Sequence, residues 1–596
     1  LETNELSNHN ASEHRTALAH RFFQTWWALA ILVVAHFLFL AFFFGPAIST
    51  PDANGYLAQA RLIAREGRTD IAVESPAQYV GDHWMPVAEG RYYGQYPPGL
   101  PAMLAIVFRP LGPYAALWVI PLMGTLSLVG LYLVVREWVS PAWALLAALL
   151  MAVNPFANQH ALGADSHTAV CFFLIWALYG LIRWERARSP GWAAFVGICL
   201  GVIPTIRYAE ALFLFPFGAY VLFSTPRDGR WRRAVLAGLA AAILPLAALA
   251  IRNQGAFGAF WRTGYSVSGE QTGFGLGYFV RHAIPYLFML LTMGVALIFP
   301  VGVKGMIELC RRPETRGRGL LLVGLVVPIT LLYMAYYWHA DSHSMRFLLP
   351  TFALYTIAAV WFLRIMGETE PERSRKWARV LLIVTLLWGL PYSAFVLNRL
   401  KRDNMALADV SRSIEAHVEP GNILIAQSGL LQHLDFLGDW RLAPEEAFDR
   451  QARRSRPVGP RGPRADDPER IVERISPAET TLAVRREIAD WAGAERSVYW
   501  LTTEARLEEI RDRLESTTDT FTEIAEVELE GPLGPGRGPG GPRRLAGPPD
   551  GGDDRPVPPA HFDPPQDGKL VLVRWRIHLE DPGTLPRMLD SQIFPQ

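Results

Sequence analysis

Asp52 stands directly after the first long apolar run of the chain, in Ile48-Ser49-Thr50-Pro51-Asp52-Ala53-Asn54-Gly55-Tyr56. A carboxylate at a membrane exit, ahead of a large loop and about ten further apolar segments, points to chemistry at a membrane surface. Three later segments carry other reactive side chains. One runs from Asn154-Pro155-Phe156 to Gly163-Ala164-Asp165-Ser166-His167. The next, about 252–282, holds Arg252, Trp261, Arg262, Tyr265, Glu270, Arg281 and His282. The last reads Tyr336-Tyr337-Trp338-His339-Ala340-Asp341-Ser342-His343-Ser344-Met345-Arg346-Phe347-Leu348-Leu349-Pro350. Moving a sugar from a phosphate to an alcohol needs a base for the alcohol, which a carboxylate supplies. It also needs cations for the departing phosphate, which guanidinium groups grip bidentately.

The same residues have plainer uses. Asp52 fits the N-cap of a helix starting at Ala53, and Arg346 fits an interfacial anchor. Asp165 with His167, and His339 with Asp341 and His343, loosely resemble carboxylate–imidazole ligands for a divalent metal ion. The tetrapeptide Ala-Asp-Ser-His occurs at 164–167 and again at 340–343, as chance or as local duplication of a polar rim. Gly269, Gly273, Gly275 and Gly277 read as a loop, because they neither follow a strand nor open a clear helix as a phosphate cradle would.

These segments need elements to carry them. Of the 596 residues 51% are hydrophobic, and 57 basic residues balance 56 acidic ones. That balance lacks the basic excess of nucleic-acid binding. The chain is apolar to about residue 400, then charged and rich in Gly and Pro, so it divides into a membrane part and a soluble part. The three cysteines, Cys171, Cys199 and Cys310, all precede the soluble part, which excludes a disulfide framework there. The first apolar run, about 22–44, is too long for a signal-peptide core and reads as a signal-anchor span.

Runs long enough to cross a bilayer fall near 23–44, 113–135, 142–158, 168–184, 191–206, 209–224, 234–251, 283–303, 319–337, 348–366 and 377–397, about eleven spans. Arg207 and Glu210 divide 191–224 into two. Loops rich in Arg and Lys, such as 304–318 and 364–379, fall on one side if the N-terminus is cytoplasmic, which leaves the C-terminal part outside. The expected layout is a cytoplasmic tail at 1–22, a membrane domain at 23–400 with a first outer loop at 45–112, and an extracytoplasmic α/β domain at 401–596. In the first loop, Tyr56 to Gly67 predicts an amphipathic helix in the interface, ended by Gly67. Tyr92, Tyr93 and Tyr96 suit the headgroup layer, and Pro97 and Pro98 break any helix there. In the C-terminal domain, 422–426, 497–502, 523–529 and 569–577 read as strands and 504–514 as a helix. Residues 450–467 and the Pro/Gly-rich 531–568 interrupt it.

At these residues the sequence resembles the GT-C glycosyltransferases, in particular glycosyltransferase family 39 and its ArnT-like and protein O-mannosyltransferase members. Asp52, followed by Tyr56 and a helix ending in Gly67, is similar to the family's first-loop aspartate. Tyr93-Gly94-Gln95-Tyr96-Pro97-Pro98-Gly99-Leu100-Pro101 is similar to its Pro-Pro-Gly segment, and Met345-Arg346-Phe347-Leu348-Leu349-Pro350 to its Arg-Tyr-Leu-Leu-Pro signature. The chain departs at Ala53, where many members have Glu, and at Gln95, where many have Lys. The resemblance implies a mainly α polytopic membrane fold with interfacial helices and a polyprenyl-phosphate sugar donor in the membrane lipid. It implies an extracytoplasmic lipid, glycan or protein acceptor, inversion at the anomeric carbon, and a bacterial inner-membrane enzyme. Asp52 then becomes the base and Asp165 a second acid. Arg346, with Arg207, Arg262 or Arg281, becomes the phosphate grip, and Tyr56, Tyr93, Gln95 and His343 become substrate contacts. A transporter or flippase would explain many spans equally, but would carry midplane charges and repeated halves; a noncatalytic scaffold is the other rival.

Overall fold

A crossing helix needs about 20 apolar residues, because inside lipid every backbone group must be paired within the segment. The computed structural model of the chain describes residues 25–48, 50–88, 90–225, 227–338, 340–341, 343–449, 477–528 and 569–578. Among them, eight helices have the length and composition to cross: Thr25–Phe43, Pro113–Trp138, Ser166–Ala187, Gly229–Phe257, Leu276–Gly294, Arg316–Met334, Ser344–Thr369 and Pro371–His417. Pro141–Ala152 and Pro155–Leu162, bent by 62°, form a ninth if the pair is one crossing. Asn154 manages that bend. Its Oδ1 accepts from Ala157 N–H at 3.0 Å and its Nδ2 donates to the Gly294 carbonyl at 2.7 Å, so one amide serves two broken backbone ends. The expected cytoplasmic tail, His339, and the interruptions at 450–467 and 531–568 lie outside the described residues.

These nine answer nine of the eleven expected spans. The other two are short, Pro190–Ile206 and Ala209–Phe223. The first, at 17 residues, rises only about 26 Å. The run is interrupted at Arg207, whose Nε lies 2.7 Å from Glu210 Oε1. The span expected at 283–303 also divides. Its helix passes into a π turn at Leu290–Gly294, and a new helix, Ile298–Arg311, opens after Ala296 takes a φ of +47°. The new helix lies so close to Leu349–Thr369 that a Cβ at Gly305 would stand 2.1 Å from the Ala358 carbonyl oxygen.

By internal contacts the chain forms two compact units. The first comprises the described parts of 1–44, 118–248 and 274–398. Its packed helices enclose polar groups that are paired: the His36 ring lies 3.0 Å from both Thr125 Oγ1 and Asn158 Oδ1. The second comprises the described parts of 45–117, 249–273 and 399–596, so the first loop and the C-terminal residues fold together.

That second unit holds two sheets. In the loop, β1 (Asp70–Ala72), β2 (Trp84–Ala88) and β3 (Arg91–Gly94) are antiparallel in the order β1-β3-β2. The larger sheet has the order β5-β4-β6-β8-β7, with β4 Ile423–Ala426, β5 Arg441–Pro444, β6 Val498–Thr502, β7 Thr520–Glu528 and β8 Lys569–Arg576. β4 runs parallel to β5 and β6; β8 runs antiparallel to β6 and β7. Trp500, Trp575 and Phe448 fill its core, and Ala77 of the first loop is buried among them. Further ties join the same parts. Tyr79 N–H donates to the Leu442 carbonyl at 2.7 Å. The Arg441 guanidinium holds both Glu74 oxygens, at 2.7 and 3.0 Å. Arg61 donates to the Gly438 carbonyl at 2.8 Å, and Asn54 to that of Gln432 at 2.9 Å.

The helix Pro51–Glu66 ends at Gly67 as expected, in a left-handed turn with φ +67°. It is not a one-sided surface helix, however. Its residues 53–60 are all buried, because Ala53, Gly55, Ala58 and Ala60 let neighbours approach from every side. Trp500→Phe removes the indole N–H that donates to Glu445 Oε2 at 2.9 Å and leaves unfilled volume. It is expected to lower the opening free energy of both 423–434 and 51–66 by about 1–3 kcal/mol. Hydrogen exchange read by mass spectrometry checks this; full protection of 51–66 in the variant would show that the loop does not depend on the sheet.

Candidate active site

Thr50 caps the helix that carries Asp52: its hydroxyl accepts from Ala53 N–H at 3.4 Å. Asp52 lies in the first turn, where unpaired amides and the helix dipole favour an anion. Tyr96 donates its hydroxyl proton to Asp52 Oδ1 at 2.8 Å. His83 Nε2 lies 3.1 Å from the same oxygen and 3.2 Å from the Tyr96 hydroxyl. About a third of the Asp52 side chain, 33%, remains exposed. The glycine at 55 makes the arrangement fit, since a Cβ there would stand 3.0 Å from the Tyr96 ring and 3.1 Å from His83 Cβ.

The chain of contacts continues away from Asp52. His83 Nδ1 lies 3.3 Å from Gln95 Oε1. Gln95 Nε2 donates to Glu270 Oε1 at 2.8 Å, and Ser268 Oγ lies 3.4 Å from it. Gly264 lets the helix Gly264–Ser268 meet this strand end, because a Cβ would stand 2.4 Å from the Gln95 backbone. Tyr56 stacks on Tyr96 at 4.6 Å. Tyr93 sits apart, with Phe257 at 6.1 Å and the Arg252 guanidinium 5.7 Å over its ring. Burial alone would push the His83 imidazole down; the hydrogen bond and charge of Asp52, with Gln95 and Asp82, outweigh it and raise it above its ordinary value. Burial, then the Asp52 charge, hold the Tyr96 hydroxyl well above its ordinary value, so it remains a donor.

The first unit has its own polar cluster. Asp165 opens the helix Ser166–Ala187: its Oδ1 accepts from His167 N–H at 3.0 Å and its Oδ2 meets His160 Nδ1 at 2.8 Å. Burial opposes ionisation of this carboxyl, but the two imidazoles and the Arg346 guanidinium outweigh it and hold it below the usual carboxylate range. Arg207 donates to Glu210 at 2.7 Å, to Ser166 Oγ at 3.2 Å and to Tyr333 Oη at 3.1 Å. The guanidinium groups of Arg207 and Arg346 both lie against the Phe347 ring, at 5.7 and 5.3 Å. Asp341 Oδ1 accepts from Ser344 N–H at 2.9 Å and from its hydroxyl at 2.8 Å. Asp165 and Asp341, which hold the same place in the repeated tetrapeptide, thus each accept from an amide at the start of a helical segment.

The sequence-predicted residues therefore sort into groups. Asp52, Tyr56 and Gln95 come together in one unit, and Asp165, Arg207 and Arg346 in the other. His343 precedes the 3-10 turn Ser344–Leu348 that carries Arg346. Arg262 turns back to the Phe257 carbonyl, at 3.2 Å. Arg281 is exposed on the helix Leu276–Met289. Sequence reasoning missed His83, which lies in no motif. Among the described residues no three His, Cys, Asp or Glu side chains are grouped to hold a metal ion, and His167 and Asp341 are no exception.

Residues 95–251 match the family described as dolichyl-phosphate-mannose-protein mannosyltransferase. No curated protein matches the chain. The fold is similar to that of ArnT from Cupriavidus metallidurans. With undecaprenyl phosphate bound, that protein superposes with a TM-score of 0.52 at 13% identity, over 91% of this chain and 97% of that one. In its apo state the values are 0.50, 13%, 84% and 96%. The apo oligosaccharyltransferase of Archaeoglobus fulgidus matches with a TM-score of 0.45 and 14% identity over 71% of this chain, which spans 65% of that protein's length. The matched segment, which includes Asp165 and Arg207, is thus similar to that mannosyltransferase family, and the polytopic fold with a C-terminal α/β part is similar to that of ArnT.

Proposed function

We propose that the protein is an inverting glycosyltransferase that moves a sugar from a polyprenyl-phosphate donor to an extracytoplasmic lipid, glycan or protein. The observation that carries this reading is Asp52, a part-exposed carboxylate in the first turn of a buried helix, with one oxygen fixed by Tyr96 and His83. The undecaprenyl phosphate bound by the structurally similar ArnT supports a donor of that chemistry. In the reaction the acceptor oxygen bonds to the anomeric carbon as the bond from that carbon to the phosphate oxygen breaks. The acceptor proton goes to Asp52, and the electron pair leaves with the polyprenyl phosphate. Arg346 and Arg207 balance the charge gathering on that phosphate, as paired guanidinium groups do. Tyr56, Tyr93, Gln95 and His343 shape the substrate sites, and Asp165 fixes the first turn of its helix beside Arg346.

The same reading carries a bacterial inner-membrane protein with a cytoplasmic N-terminus. The two short helices at 190–223 serve as the tenth and eleventh spans, and the membrane domain at 23–400 precedes an extracytoplasmic domain at 401–596. In that layout the C-terminal domain holds the Asp52 helix in place.

Asp52→Asn is expected to cut turnover by about 10²–10⁴-fold while leaving the protein folded. The measurement is sugar release or transfer by purified protein, over a panel of undecaprenyl-phosphate hexoses and pentoses. A fully active Asp52→Asn protein removes Asp52 from the reaction. Arg346→Ala is expected to lower kcat/KM for the donor by about 10–100-fold, the usual worth of a lost charged hydrogen bond; an unchanged donor KM and kcat would sink its assignment.

A further inference from the structure

Only one protonation state of His83 satisfies every group around it. Glu270, as a carboxylate, can only accept, so the Gln95 atom 2.8 Å away must be its NH2 group. That choice turns the Gln95 carbonyl toward His83 Nδ1, at 3.3 Å, and an acceptor facing Nδ1 requires a proton there. On the other side of the ring, the Tyr96 proton is already given to Asp52 Oδ1. Nε2, at 3.1 Å from that oxygen and 3.2 Å from the Tyr96 hydroxyl, faces two acceptors and needs a proton too. A ring protonated at both nitrogens is an imidazolium. A neutral ring would set one lone pair against an oxygen in a partly buried place, which is costly.

We propose that His83 is a positioning residue for the transfer reaction: it stands beside Asp52 as a fixed cation, kept protonated by a Gln95 amide that Glu270 orients, and it holds the carboxylate ionised and aimed in acid surroundings. This rests on Asp52 being the base. The groups facing His83 from the packed elements agree in sign. They are Asp52 from the helix Pro51–Glu66, the neighbouring Asp82, Tyr96 and Gln95 beyond β3, and, through Gln95, Glu270 from the turn at Glu270–Thr272. Glu270 touches neither Asp52 nor His83 through these bonds, yet it sets the state of both through the amide. The raised affinity of His83 for its second proton accords with this geometry.

The sign of the effect follows. A standing positive charge opposes protonation of the carboxylate, so Asp52 remains a base to lower pH than it would beside a neutral group. The benefit is lost as pH rises through the His83 titration, where the carboxylate is ionised in any case.

The test is a titration of the full-length protein labelled with ¹⁵N-histidine, in detergent, where the His83 signal is the one missing from His83→Gln. The expected wild-type ring carries both N–H protons at acid pH, with a midpoint higher than the ordinary value of about 6.5. The midpoint falls by about one unit or more in Asp52→Asn. It falls by less in Glu270→Gln, where Gln95 is free to turn its NH2 toward Nδ1. A wild-type midpoint at or below the ordinary value, or one that does not move in Glu270→Gln, overturns the proposal. Rate against pH, with the best donor of the panel above, gives the second reading. His83→Gln lowers the alkaline plateau, because the aim of Asp52 is lost, and also moves the acid limb up by about one pH unit. A uniform loss at all pH values with an unmoved limb marks a merely structural histidine. If Asp52→Asn proves active, the base assignment fails, while the nitrogen titration still reports the state of His83.

Discussion

In the second unit, side chains from distant segments gather around the Asp52 carboxylate, two thirds of which is removed from water. An ionised acid taken partly out of solvent needs compensating donors within hydrogen-bond reach, or it takes up a proton. At Asp52 two are side chains, the Tyr96 hydroxyl and the His83 ring, and its place in the first turn adds the favourable end of the helix dipole. Each donor has to be anchored in turn. Tyr96 is clamped against Tyr56, while His83 leans on Gln95 and Gln95 on Glu270. Segments more than two hundred residues apart in the chain thereby meet around one carboxylate.

Such a convergence needs close approach, and close approach needs small residues. Gly55 leaves room for Tyr96 and His83, and Gly264 for the backbone of Gln95. The alanines of the Asp52 helix let it be buried almost all round. A helix buried this way cannot rely on a lipid or water surface for support. Its far side rests on Gln432, Asp435 and Gly438, reached by Asn54 and Arg61, and the loop behind it sends Ala77 into the aromatic core of the five-stranded sheet. The C-terminal residues thus act mechanically on the Asp52 helix, whatever else they bind.

What was legible in the sequence was what depends on local pattern. Eight apolar helices, and a ninth if the bent pair is one crossing, follow from apolar length alone, and Gly67 as the helix stop follows from its spacing. The strands at 423–426, 498–502, 520–528 and 569–576 follow from β-branched and aromatic runs. What failed was what depends on tertiary context. β1 to β3 are short, and Tyr92 and Tyr93 of β3 read as headgroup-layer residues; β5 has four residues and ends in proline. The helix at 51–66 looked amphipathic, because small residues carry little hydrophobic signal even when buried. His83 had no local signal, since its role arises only when β3 and the turn at 270 are brought to it.

Four acids near helix starts show how context separates equal chemistry. Asp165 accepts from the amide of His167 and Asp341 from that of Ser344, so each gives an oxygen to the opening of its own helical segment. Glu210, near the start of the short turn after Arg207, gives its oxygen to that arginine and to Tyr333. At Asp52 the N-cap work falls to Thr50, two residues earlier, which the presence of Pro51 at the first helical position permits, because proline brings no amide that would need a cap. The Asp52 carboxylate is then met by side chains from distant parts of the fold and keeps a third of its surface open. A cap is judged by whether it satisfies its own helix. Asp52 instead meets a chain of three neighbours, His83, Gln95 and Glu270, that other parts of the protein bring to it.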